Sequence, residues 1–104
     1  MISKEEILKY LKLLKSQLKS QGIVRIGLFG SFAKGTNNKN SDIDIVYETS
    51  EDFLQKYPGW NAFTFLNENL RDKIANKFNV KVDLFDLNSQ SEIKEKIKKE
   101  AIYV

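Results

Sequence analysis

The chain has 104 residues, enough for one hydrophobic core and too few for two. With 41% hydrophobic and 30% charged residues, one proline and five glycines, its composition is that of an ordinary folding domain. The absence of cysteine and histidine excludes structural zinc, thiol chemistry, histidine-ligated haem and Ser-His-Asp hydrolysis. Any chemistry must therefore rest on carboxylates, hydroxyls, lysines and a hard metal ion. The first thirty residues hold neither a secretory apolar core nor a stretch near the roughly 18 apolar residues of a membrane span, which predicts a cytoplasmic protein without membrane contact. The expectation is a single domain over residues 1–104.

The net charge of +3 is unevenly spread. Lys4, Lys9, Lys12, Lys15, Lys19 and Arg25 outweigh Glu5 and Glu6 at the N-terminus, while Asp42, Asp44, Glu48, Glu51 and Asp52 face only Lys56 between residues 41 and 60. The N-terminal excess reads as the solvated face of a helix, and no direct nucleic-acid binding is expected from it.

Ser3 followed by Glu6 forms a capping-box pattern, and Ile7, Leu11, Leu14 and Leu18 then recur at helical spacing, so a helix is predicted up to Gly22. Ile23–Phe29 is β-branched and aromatic and reads as a mostly buried strand closed by Gly30. Gly35–Ser41 is turn chemistry. The stretch from Asp42 to Tyr47 alternates over its first five residues, with Ile43, Ile45 and Tyr47 on one face of a second strand and Asp42 and Asp44 on the other. After the Pro58-Gly59 turn, Phe63, Leu66, Leu70, Ile74 and Phe78 trace a helical stripe. Trp60, Phe63 and Phe65 are read as core or partner surface rather than as a base-stacking platform. Val80–Phe85 is predicted as a third strand. Ser89 with Glu92 repeats the capping-box pattern before a last helix striped by Ile93, Ile97 and Ala101. The implied fold is α/β (α+β), a small mixed sheet flanked by helices, with the first two strands antiparallel because the link between them is short.

The stretch richest in chemistry lies between the first two strands. Gly30 and Gly35 have P-loop spacing, but Thr36 stands where the lysine is required, and the glycines do not match a dinucleotide fingerprint. What remains is Gly30-Ser31 at a strand end, where backbone N–H groups and a hydroxyl suit phosphate, aided by the N-terminus of a short helix over residues 31–34. Ten residues later, Asp42 and Asp44 point the same way, with Cα atoms roughly 7 Å apart. In the third strand Val80, Val82 and Leu84 fix one face, which puts Asp83 on the other. Each motif alone is ordinary; in this order they suggest three carboxylates for Mg²⁺ or Mn²⁺ and phosphoryl transfer.

These residues resemble the nucleotidyltransferase superfamily of polymerase-β-like fold. Gly30-Ser31-Phe32-Ala33-Lys34-Gly35, Ser41-Asp42-Ile43-Asp44 and Val82-Asp83-Leu84 are similar to the minimal nucleotidyltransferase subfamily, over almost the whole chain. The resemblance implies that Gly30, Ser31 and Lys34 bind nucleotide, that Asp42, Asp44 and Asp83 are the catalytic and metal-binding residues, and that Asp83 activates the attacking hydroxyl. Lys34 and Asn38 replace arginines common in the family. It further implies ATP as substrate and transfer of AMP to a tyrosine of a HEPN-type toxin ribonuclease, so that the chain acts as an antitoxin. Two other readings stand beside this one: a non-catalytic antitoxin that occludes its toxin, and a nucleotidyltransferase acting on a small-molecule hydroxyl, compatible with a homo-oligomer.

Overall fold

A computed structural model describes residues 2–104. The first helix, α1 (Lys4–Ser20), begins where the sequence predicts: Ser3 is extended, and its Oγ accepts a hydrogen bond from the Glu6 N–H at 3.1 Å. That contact satisfies one of the backbone donors every helix start leaves open. Ile7, Leu11 and Leu18 are buried, with Leu14 packed at the margin. Gly22, at φ +102°, turns the chain into β1 (Ile23–Phe29). There follow α2 (Gly30–Lys34), β2 (Ile43–Thr49), α3 (Phe53–Lys56) and α4 (Trp60–Leu66). A π-helical turn over Asn67–Arg71 leads into α5 (Asp72–Phe78), and β3 (Val82–Asp86), α6 (Lys94–Glu100) and β4 (Ile102–Tyr103) complete the order.

The four strands form one mixed sheet in the order β3-β2-β1-β4. As expected, β1 and β2 are antiparallel, with Leu28 opposite Ile45 and Phe29 opposite Asp44. β2 and β3 are parallel, and the helices α3 to α5 supply the crossover that parallel strands need. Strand alternation then sorts the side chains. Ile26, Leu28, Ile43, Ile45, Tyr47 and Val82 face the main core together with Ile7, Leu11, Phe65, Leu70 and Ile74 from the helices. Full burial of a side chain such as Leu28 or Ile45 contributes about 1.5–3 kcal/mol. The opposite face is thinner: Val46, Leu87 and Ile97 pack there with Phe29, Phe85, Ala101 and Tyr103. Asp44 shares the parity of Val46 and lies on this second face.

Four local expectations are corrected. Of the predicted stripe, Leu66, Leu70, Ile74 and Phe78 lie in or against the core, but Phe63 is exposed, and Ala62 and Phe65 are buried instead. The five-residue step from Phe65 to Leu70 coincides with the π turn, whose i→i+5 bonding absorbs one extra residue and rotates α4 relative to α5. Ser89 does not cap the last helix: its Oγ donates to the Asp86 carbonyl at 2.6 Å, and the helix starts only at Lys94. The third strand begins at Val82 rather than Val80, since Asn79 is left-handed (φ 55°) and the Val80 N–H bonds back to the Ala75 carbonyl. Finally, Ala101 leaves the helix (ψ 148°), so the residues after it form β4 against β1.

Gly27 makes that last pairing possible. A Cβ there would lie 2.8 Å from the Ile102 carbonyl oxygen and 3.0 Å from the Tyr103 ring. Gly27→Ala is expected to displace β4 and destabilise the fold by about 1–3 kcal/mol, the usual penalty of overpacking. Hydrogen exchange would show it as lost protection of the Val104 amide, which bonds to the Ile26 carbonyl at 3.1 Å; retained protection would overturn the assignment.

Candidate active site

The site is built where β1 ends. Gly30 takes φ +75°, a conformation open to glycine at little cost, and swings the backbone directly into α2. Gly35, at φ +76°, closes that helix, with the Gly35 and Thr36 N–H groups bonded to the Phe32 and Ser31 carbonyls. No side chain caps the start of α2, which leaves its first N–H groups free for an external acceptor. The loop back to β2 is pinned by Asn38, whose N–H donates to Ser41 Oγ at 2.9 Å and whose Oδ1 accepts from the Asn40 N–H at 2.8 Å. The chain therefore re-enters the sheet with Asp42 just before β2 and Asp44 within it.

Asp44 is the centre of the arrangement. In register it lies between Phe29 on β1 and Asp83 on β3, and neighbouring strands run roughly 4.8 Å apart. Burial raises its carboxyl above the ordinary carboxylate range, and the charges of Asp83 and then Asp42 raise it further. Asp42 is half-buried and Asp83 exposed. Among the described residues, none of the three carboxylates has a hydrogen bond or ion pair to a protein donor. Gly30 also makes room for this group: a Cβ there would collide with Asp44 Oδ2 and approach its Cγ to 3.0 Å.

Asp42, Asp44 and Asp83 are thus brought to one end of the sheet, with Gly30 beside Asp44 and Ser31 next along α2. Lys34 lies on the same short helix but is engaged elsewhere, its Nζ 3.5 Å from Glu100 Oε2 on α6. An exposed pair of this kind is worth at most about 1 kcal/mol, so a phosphate could displace it. Sequence reasoning missed Glu100, and no local pattern announces a partner so distant in the chain. It also missed Phe29 as the cross-strand neighbour of Asp44.

Among the described residues no three acidic groups are drawn together into a preformed metal-holding cluster. The donor set nevertheless fits a hard cation: the ligands are all oxygen, and Asp44 is a partly desolvated carboxylate repelled by two others and relieved by no cationic side chain.

The family model for polymerase beta nucleotidyltransferases matches residues 11–104. The chain belongs to this nucleotidyltransferase family. A relative from Thermococcus cleftensis, protein adenylyltransferase MntA, is 31% identical over 106 residues, covering 100% of this chain and 98% of its own. Two solved structures share the fold. One is the toxin–antitoxin MntA-HpeT in a form with two aspartates, two positions apart, changed to glutamate; it is 25% identical with a TM-score of 0.64, covering 98% of this chain and 72% of that one. The other is a toxin–antitoxin with AMP-PNP, 27% identical with a TM-score of 0.63, covering 93% and 70%. The chain is a minimal nucleotidyltransferase domain resembling these antitoxins, and an enzyme of the nucleotidyltransferase class. Among the described residues no helix is long and apolar enough to cross a membrane.

Proposed function

We propose that this nucleotidyltransferase transfers AMP from ATP to a tyrosine hydroxyl of a HEPN-type toxin ribonuclease in the cytoplasm and so acts as an antitoxin, with Mg²⁺ as its metal. The observation that carries the reading is the in-register pair Asp44 and Asp83, desolvated at Asp44 and set against the side-chain-free backbone of Gly30. The AMP-PNP in one structural neighbour and the Asp-x-Asp spacing altered in the other support it. So does the name of the Thermococcus relative.

In this mechanism the acceptor oxygen attacks the α-phosphorus of ATP, one P–O bond forms, the α–β bridging P–O bond breaks, and pyrophosphate leaves. The free N–H groups at the start of α2 and the Ser31 hydroxyl receive phosphate oxygens. Asp42 and Asp44, with Asp83 beside them, would hold the divalent cation. When bound, that cation neutralises phosphate charge and makes the acceptor hydroxyl more acidic. Asp83, the most exposed of the three, takes the hydroxyl proton; a tyrosine with an ordinary pKa near 10 needs such a base at neutral pH.

The test is incubation of the protein with α-labelled ATP, Mg²⁺ and its toxin, followed by mass spectrometry of the toxin. AMP on a tyrosine is the expected result. Neutralised toxin without AMP would replace transfer by occlusion, and label only on small-molecule alcohols would move the acceptor. Ser31→Ala is expected to weaken ATP binding by about 1 kcal/mol, the worth of one ordinary hydrogen bond, or roughly fivefold in Kd. Calorimetric titration with ATP and Mg²⁺ measures this, and an unchanged affinity would remove Ser31 from the phosphate site.

A further inference from the structure

Three of the large apolar side chains left exposed lie close together in the chain: Leu54 (66% exposed) on α3, and Trp60 (80%) and Phe63 (55%) on α4. Single exposed apolar residues are ordinary, but a contiguous group is the mark of an interaction surface. This group adjoins a firm base, because the rings of Phe53, Tyr57 and Phe65 pack against one another with centroids 4.4 to 5.7 Å apart. Trp60 meets Phe63 edge to face at 5.9 Å. Beside Leu54 and Phe63 opens a cavity of about 420 Å³ whose far side carries Thr49, Asp86 and Asn88.

The charge around this patch is predominantly negative. The exposed Glu51 and Asp52 immediately precede α3 and Asp86 lines the cavity, against the single exposed Lys56 at the end of α3; no lysine or arginine lines the cavity itself. The hollows against α1, by contrast, are lined by Lys9, Lys12, Lys15 and Lys77 against Glu5 and Glu6. An apolar surface edged with carboxylates complements a helix that carries apolar residues on one side and lysines or arginines around them. The cavity opens at the C-terminal ends of β2 and β3 on the Tyr47 side of the sheet, whereas Asp44 faces the other side. Thr49 lies five residues along β2 from Asp44, roughly 17 Å at the strand rise. A segment leaving a helix docked there reaches the carboxylates by rounding the edge strand β3, so it needs more than the roughly five extended residues that the straight distance takes.

We propose that Leu54, Trp60 and Phe63, with the cavity beside them, form the docking surface for a basic amphipathic helix of the protein that presents the acceptor hydroxyl. The proposal rests on the protein-acceptor reading above. The probe is a fluorescent helical peptide of leucine and lysine, compared with its leucine and glutamate counterpart. The lysine peptide is expected to bind, with amide shift changes confined to residues 49–66. Leu54→Ser/Phe63→Ser should weaken it at least tenfold. Glu51→Lys/Asp52→Lys should also weaken it and should gain affinity for the glutamate peptide. Both double variants should bind ATP with Mg²⁺ as the parent does. Absent binding, equal binding of the two peptides, or shifts centred on α1 would overturn the proposal. So would a sedimenting dimer of the parent abolished by Leu54→Ser/Phe63→Ser, which would assign the patch to a second copy of this chain. Peptide discrimination in a parent that binds no ATP would support the docking surface and sink the catalytic reading instead.

Discussion

Asp44→Asn is expected to abolish transfer and, with divalent cations chelated, to raise the melting temperature at neutral pH. Both effects follow from the position of Asp44 between Phe29 and Asp83. Its carboxyl is held above the ordinary range by burial first and by the neighbouring carboxylates second. In the folded state it therefore keeps its proton to higher pH than in the unfolded chain, and the folded state binds more protons. By linkage, stability falls as pH rises from the unfolded value of about 3.8 through the raised folded value, and the deficit persists at pH 7. Asparagine keeps the shape and removes the charge, so parent and variant should melt alike in acid and diverge above it. A variant that melts no higher than the parent at pH 7 would show that Asp44 is not under electrostatic strain. Activity should move the opposite way, because loss of a charge-stabilising group at the reacting centre costs on the order of 10²–10³ or more in rate. Asp83→Asn isolates the proton acceptor: ATP binding is retained while transfer drops by about 10²–10⁴. Full transfer by that variant would remove Asp83 from the role of base.

Gly30→Val is expected to damage both fold and site. The residue sits at φ +75°, where a side chain costs about 1–3 kcal/mol through the backbone alone, and its Cβ would drive Asp44 Oδ2 from its place. Urea denaturation should show a stability loss of at least that size, and ATP binding should fail in the fraction that folds. Gly35→Ala is the matched control, since Gly35 is also left-handed (φ +76°) but a Cβ there meets nothing within 4 Å. It should show the backbone penalty without the loss of nucleotide. Equal ATP affinity in the Gly30 and Gly35 variants would mean that close approach to Asp44 is unimportant.

Much of this architecture is legible in the residues because it depends on short periods. The alternation from Ile43 to Tyr47 sets which way Asp44 points, and the apolar face of Val82 and Leu84 sets the direction of Asp83. The register that sets Asp83 beside Asp44 rather than beside Val46 is a different matter. It depends on how the α3 to α5 crossover delivers β3, and nothing within either strand encodes it. β4 was hidden for a similar reason: two residues carry no period, and Ile102 and Tyr103 become a strand only because Gly27 admits them against β1. Ser89 and Glu92 have the spacing of a cap, but the Ser89 hydroxyl is claimed first by the Asp86 carbonyl. The Lys34–Glu100 contact is purely a product of the tertiary fold.

The π turn at Asn67–Arg71 has a consequence at the level of heredity. Losing a single codon there would restore a straight α-helix and leave Phe65 four residues before Leu70, still on the same face. Phe65 would keep its place against the core and Phe63 its place toward solvent. The wide turn lets the chain carry one more residue without changing which aromatic side chains α4 offers to another molecule. A family could gain or lose that residue without redirecting the surface or touching the carboxylates of the active site.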